Sequence, residues 1–351
     1  MKFKILLLLT LFSQFIFAQN DTLKKLNISA YGELYYSYDF SKPQNHKRPD
    51  FLYNHKRHNE LNANLLLLKA NYTDKNYRAN IGLMAGNYAQ YNLSNEPTWA
   101  QFIYEANAGV KISKQENIWL DAGIMPSHIG FESAVSADCW TLTRSLLAEN
   151  SPYYETGLKV SYISKDEKLL VSAMYLNGWQ RSQKPDYIQK PSFGAQITYK
   201  PTEKITLNYS NFVGSDRPDS INSLRHFHNF YLQYEPTKKF GIIAGFDIGS
   251  DKFNLEKYAT WYSPVLILKQ SINDKTKIAL RAEYYSDAKQ IIITTNTTNG
   301  FQTFGFSSNV DYDFNDKIKF RIEGKVLHSK DKIFENKNNN YLFTTNMTVK
   351  L

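Results

Sequence analysis

The residues best equipped for chemistry gather between Met125 and Tyr154, in the stretch MPSHIGFESAVSADCWTLTRSLLAENSPYY. Ser127, His128 and Glu132 stand close together there, and Ser145 lies near Glu149. Such side chains can serve as nucleophile, base and acid, but a triad is defined by geometry and not by neighbourhood in sequence. No nucleophile elbow, metal-binding pair or phosphate loop accompanies them. The stretch is therefore read as non-enzymatic, with no cofactor. Asp138, Arg144 and Glu149 beside Phe131, Trp140 and Leu146 suit a different task. A long connection without regular periodicity, lying between two alternating strands, is usually functional. It is expected to fold into the mouth of a barrel and narrow it, with Glu132, Arg144 and Glu149 at the constriction.

A second cluster is cationic. Asn45-His46-Lys47-Arg48-Pro49 is followed by the near-repeat Asn54-His55-Lys56-Arg57-His58. One reading is an entrance site for phosphate groups or another anionic solute. The other is a solvated basic loop that meets lipopolysaccharide charge. A metal site built on His46, His55 and His58 lacks the tighter ligand spacing that zinc sites normally show.

The elements that must position these groups are strands. In Leu26–Phe40, Leu26, Ile28, Leu34, Tyr36 and Phe40 fall on one face, and Asn27, Ser29, Glu33, Ser37 and Asp39 on the other. Period two over such a length gives one apolar and one polar face, and it outlasts the 5 or 6 residues typical of soluble strands. The same alternation recurs in about sixteen segments, ending with Tyr341–Leu351, although Leu65-Leu66-Leu67-Leu68 blurs the two faces of one of them. Connections alternate long and short: Ser41–Arg57 against Thr73–Asn76, Gln90–Ala100 against Ser113–Glu116, and Pro126–Pro152 against Lys165–Glu167. An even strand number, short turns at one end and long loops at the other describe an all-β, antiparallel, up-and-down transmembrane barrel of an outer membrane. If the apolar rows face lipid, Glu33, Glu105, Arg225, Arg281, Glu283, Arg321 and Glu323 face inward. Charge is tolerated there beside water, where it can hydrate the wall or select ions.

Composition agrees. Aromatic residues make up 15% of the chain, with 25 Tyr and 22 Phe, while mean hydropathy is only −0.48. That pairing suits a barrel with aromatic girdles and a wet interior, and no run after Ala18 is long enough for a spanning helix. The lone Cys139 cannot form an internal disulfide. Lys2 and Lys4, the apolar run Ile5–Phe17 and the small Ala18 match a cleaved secretory signal over residues 1–18, leaving 19–351 as the barrel. Without Lys2 and Lys4 the formal +9 becomes +7, a basic excess suited to anionic lipid head groups or solutes. An exported chain of this kind is not expected to bind nucleic acid.

Several motifs carry a family resemblance: Asp50-Phe51-Leu52-Tyr53-Asn54-His55, Tyr104-Glu105-Ala106-Asn107-Ala108-Gly109, Pro126-Ser127-His128-Ile129-Gly130-Phe131-Glu132-Ser133, the run Trp140–Tyr153, and Leu176-Asn177-Gly178-Trp179-Gln180-Arg181. The chain resembles the OmpL-like β-barrel porin family common in Bacteroidota. The resemblance implies a porin-like role in the outer membrane, with no catalytic residue and no defined substrate. One departure is Leu351 at the end, where such barrels commonly carry an aromatic residue read by the insertion machinery. The expectation is a passive diffusion channel for small hydrophilic solutes, with a possible homo-oligomer. Its alternative is a plugged barrel acting as surface receptor or binding scaffold.

Overall fold

The computed structural model describes residues 25–254 and 257–351, so the signal segment expected over residues 1–18 lies outside the described residues. The strands are β1 (Leu26–Asp39), β2 (Leu61–Thr73), β3 (Tyr77–Ala85), β4 (Ile103–Lys111), β5 (Asn117–Pro126) and β6 (Tyr154–Ile163). They continue with β7 (Leu169–Leu176), β8 (Ser192–Thr202), β9 (Ile205–Gly214), β10 (Arg225–Tyr234) and β11 (Phe240–Lys252). The last are β12 (Tyr258–Ser271), β13 (Thr276–Asp287), β14 (Phe301–Asp313), β15 (Ile318–Ser329) and β16 (Asn339–Lys350). Each pairs antiparallel with its neighbours in sequence, and β1 closes on β16 from Tyr31 opposite Lys350 to Asp39 opposite Leu342. Closure leaves no free edge, which a barrel in hydrocarbon requires.

Period two decides which side meets lipid. Leu34, Leu68, Ile81 and Phe304 point outward and are at least half exposed. Their neighbours Glu33, Lys69, Gly82 and Thr303 point inward. The blurred face of β2 has two causes. A bulge opposite Glu33 and Leu34 inserts Asn64 as an extra residue. Beyond it Leu65 and Leu67 are apolar yet face inward, because they pack with Met84, Tyr88 and Val135. A lumen that encloses packed loops does not need a wholly polar wall.

Short turns close one end, and longer loops spread from the other. Several of the loops turn inward, three of them early in the chain. Loop 86–102 carries the short helix α1 (Asn87–Asn92), which is held inside by Tyr88, Ala89 and Leu93. Loop 40–60 folds its two basic repeats against each other, with Arg48 N–H donating to the Lys56 carbonyl (2.9 Å). The third, residues 127–153, contains the helix α2 (Leu146–Glu149) and lies across the bore.

Candidate functional site

The site is the lumen together with the loop that crosses it. Residue by residue, loop 127–153 is attached to a wall shaped to receive it. His128 donates from Nε2 to the Asn211 carbonyl of β9 (2.8 Å), and Gly130 N–H donates to Asn229 of β10 (3.1 Å). Burial holds the His128 imidazole down to about 4, so it sits neutral. Three inward glycines seat three rings of the loop. A Cβ on Gly194 would lie 2.7 Å from His128 Nε2, one on Gly245 2.7 Å from Phe131, and one on Gly241 2.5 Å from Trp140. Lys269 caps the Trp140 ring at 4.0 Å from its centroid, a cation–π contact.

Farther along, the wall charges hold backbone. Arg281 donates to the Thr143 carbonyl (2.6 Å), to Thr141 Oγ1 (2.9 Å) and to Glu323 (2.8 Å). Glu323 accepts from Thr143 N–H (2.7 Å) and Oγ1 (2.6 Å), and Glu283 accepts from Leu146 N–H (2.6 Å) while pairing with Lys325 (2.7 Å). Arg321 reaches the Ser136 and Cys139 carbonyls at 2.7 and 3.0 Å and pairs with Asp311. Glu33 gathers Ser136 Oγ (2.7 Å), His55 Nε2 (2.7 Å), Asn64 (3.0 Å) and Asn346 (2.6 Å), tying two loops to two strands.

The candidate residues from sequence thus share the lumen but not one task. Arg281, Arg321, Glu283, Glu323 and Glu33 do face inward, yet they are buried against the loop, where water was expected. The reason is that the loop's backbone donors and acceptors, once taken off the surface, need partners. Arg144 is fully buried within the loop and donates to the carbonyls of Ser133, Ala134 and Leu142 at 2.5, 2.9 and 2.8 Å. Glu132 accepts from Ser145 N–H (3.0 Å), while burial pushes its carboxyl up. Glu149 accepts from the backbone of Tyr53 (2.8 Å) and Asn54 (3.2 Å), joining loop 40–60 to α2. Glu105 pairs with Lys69 on the wall (2.7 Å), and Arg225 pairs with Asp216 (2.9 Å) and Asp251 (3.0 Å). Ser145 caps α2 by accepting from Ala148 N–H (3.2 Å).

The basic repeat corrects both of its readings in part. His46 and Lys47 are exposed, but Arg48, His55 and Lys56 are buried, because the repeats pair with each other and face inward. Burial holds His58 below its ordinary value, and neutral Nδ1 accepts from Asp39 N–H (2.8 Å). His55 is turned to Glu33, apart from the His46 and His58 pair, whose ring centroids lie 6.3 Å apart. No group of three metal-ligating side chains occurs among the described residues.

Spaces remain on both sides of the loop. At the loop end, cavities of about 630 and 240 Å³ share Tyr53, Asn150 and Ile292 on their walls. At the turn end, one of about 510 Å³ lies between Ala137 at the tip of the crossing loop and Lys277, Lys319 and Lys350. Sequence reasoning missed Thr143, Asn309 and Asn229 as loop anchors, and missed Asn92, Glu96, Arg181 and Asp216 around the smaller cavity. Inward asparagines and glycines in otherwise regular strands were the available signal.

A closed sixteen-stranded barrel, apolar outside and polar within, crossed by the loop after its fifth strand, defines the class of outer-membrane porins. Residues 25–351 match the family described as "Putative beta-barrel porin-2, OmpL-like", and the chain belongs to it. A search of curated proteins finds no sequence match. Among solved structures the chain is similar to an anion-selective porin from Comamonas acidovorans, with 7% identity, a TM-score of 0.61, and 93% of this chain and 99% of that one covered. It is similar to the outer-membrane channel DcaP of Acinetobacter baumannii, with 9% identity, a TM-score of 0.60 and coverage of 93% and 97%. It also resembles OmpT of Vibrio cholerae in a trimer form, with 9% identity, a TM-score of 0.58 and coverage of 93% and 99%. At these identities the likeness is one of fold.

Proposed function

We propose that this porin passes small hydrophilic solutes by passive diffusion, and that loop 127–153 determines which of them pass. The observation that carries the reading is the loop's position across the bore, with cavities toward both ends. Size selection belongs to the loop and to the gap it leaves. The buried arginines serve selectivity indirectly, by fixing the loop. Deleting Phe131–Asn150 should raise single-channel conductance in planar bilayers, and unchanged conductance would remove the loop from the constriction.

The depth of that loop favours a second reading, a plugged barrel serving as a surface receptor or binding scaffold. Liposome swelling with sugars of graded size separates the two. Swelling by the intact protein supports the channel; swelling only after the deletion supports the plug. Under either reading residues 1–18 act as a cleaved export signal and the insertion machinery places the barrel. Exposed His46 and Lys47 would meet lipopolysaccharide, and barrels would associate with their own kind. No catalysis is assigned to the loop, since Ser145 and His128 are engaged in holding it.

A further inference from the structure

The outer wall is apolar but not uniform. Outward side chains of β8 to β11 enclose a groove of about 480 Å³, walled by Ile197, Tyr199, Tyr209, Phe230 and Phe246. The depression lies over Ala244, the small residue between Ile242 and Phe246 in the outward row of β11. Toward the loop end the same face turns polar. His228 follows Phe230 in the outward row of β10, and its Nδ1 is hydrogen-bonded to the hydroxyl of Tyr209 (2.9 Å), one of the groove's rings. Next comes His226, exposed and opposite Ser250, which in turn lies opposite Thr260. Lys252 stands one pair farther on β11, diagonal to His226, and diagonal neighbours lie about 7–8 Å apart. Its ammonium donates to the Ile221 carbonyl (3.2 Å) and sits 6.0 Å from the centroid of the outward Tyr258 ring, which leaves N–H groups for a ligand. Among the described residues Lys252 is the one charged side chain that any of the sixteen strands turns outward.

From this we infer that the face is a docking site for a phosphorylated, acylated glycolipid of the leaflet on the long-loop side. One acyl chain lies in the groove, sugar hydroxyls meet the row of His226, Ser250 and Thr260, and a phosphate meets Lys252. The face sorts its chemistry by height as such a lipid does, hydrocarbon against rings, then neutral polar groups, then a cation. A cation on the lipid face is tolerated at the head-group level, where a long side chain carries it to phosphate. Chain packing supplies the rest. Within hydrocarbon no hydrophobic force favours one apolar surface over another, but a depression touches a chain on several sides and gains dispersion contacts that a flat wall lacks. A second barrel suits the face less well. None of the sixteen strands turns a carboxylate outward, so the wall of another copy brings Lys252 no counter-charge. The inference rests on the outer-membrane porin reading and names a lipid that this wall holds.

The test is native mass spectrometry of the full barrel in detergent, supplied with diphosphoryl lipid A, its dephosphorylated form or phosphatidylglycerol. One molecule of diphosphoryl lipid A should stay on each barrel, with the other two held about tenfold less well. Lys252→Gln should weaken retention about tenfold, the effect of one lost charge-assisted hydrogen bond. Ala244→Phe fills the groove from the lipid side, with a residue that strands favour, and should weaken it as much. Ala282→Phe, the same exchange in the outward row of β13 away from the groove, should leave retention unchanged. No one-to-one retention, equal retention of the dephosphorylated form or of phosphatidylglycerol, or variants at Lys252 and Ala244 that hold lipid A like the parent would overturn the site. So would an equal loss with Ala282→Phe, or oligomers in lipid-free detergent that Ala244→Phe takes apart, which would make the face a contact between barrels. Retention in detergent does not depend on conduction, so a barrel that swells liposomes yet holds no lipid A rejects the site and keeps the channel, and the reverse result keeps the site and rejects the channel.

Discussion

Arg144 shows how a single residue can serve a channel without touching its solute. A guanidinium carries five donors in a rigid fork, and three of the loop's carbonyls lie within its span. Buried carbonyls cost free energy unless paired, and charge-assisted bonds contribute roughly 1.5–3 kcal/mol each. Arg144→Met should therefore loosen residues 131–150 while leaving the strands paired. Chymotrypsin, with Phe131, Trp140, Leu142, Leu146 and Leu147 as sites, should then cut the loop in the folded variant and spare the parent; equal resistance would assign the loop's order to the wall alone. In sequence Arg144 stood out correctly as a residue of the long connection. Its partners could not be read there, because carbonyls carry no residue-type signature and only the folded path of the loop brings Ser133, Ala134 and Leu142 around it. The partners of Glu33, Arg281 and Arg321 were hidden in the same way. Period two gave their direction, inward, but not the loop that arrived to cover them.

At the scale of elements, strand and loop are cut to fit each other. Outward faces were legible because every one of them meets the same solvent, lipid, and therefore repeats the same pattern. Inward faces were legible only where they meet water. Leu65 and Leu67 of β2 face α1 and the crossing loop, so their strand looked ragged, and α1 itself has neither a side-chain cap nor the length to show a period of 3.6. Inward glycines are the converse case. Within a strand interior glycine weakens pairing and often marks close approach of another group. Gly245 belongs to that class, since a Cβ there would lie 2.7 Å from Phe131 and 2.9 Å from Val265. Gly245→Val suits a strand by propensity but fills the seat of the Phe131 ring. The variant barrel should assemble, displace Phe131 and conduct more strongly in planar bilayers; conductance at the parental level would mean the ring has another place to go.

For the whole molecule the question is which charges a permeating ion still feels. Most inward charge is already matched: Arg281 with Glu323, Arg321 with Asp311, Lys325 with Glu283, Arg78 with Asp121, Lys69 with Glu105. Matched and buried pairs present little net field, so the chain's formal excess of positive charge does not by itself make a strong anion filter. Lys159 differs. It faces inward at mid-height on β6, is half-buried, and has no ion pair within 4.0 Å among the described residues. The arc of wall around it, β5 to β7, receives no hydrogen bond from loop 127–153 among the described residues, so this is the side where a path past the loop would run. Reversal potential across a salt gradient should accordingly show a mild anion preference. Lys159→Glu should shift that potential toward cations, because a carboxylate at this height would join Asp121 on the neighbouring strand. The same exchange at Arg281 should act differently: removing one partner of a buried pair costs about 3–5 kcal/mol, so the loop should come loose and conductance should change before selectivity does. A potential that moves with Arg281 and stays fixed with Lys159 would place the ion path on the opposite wall.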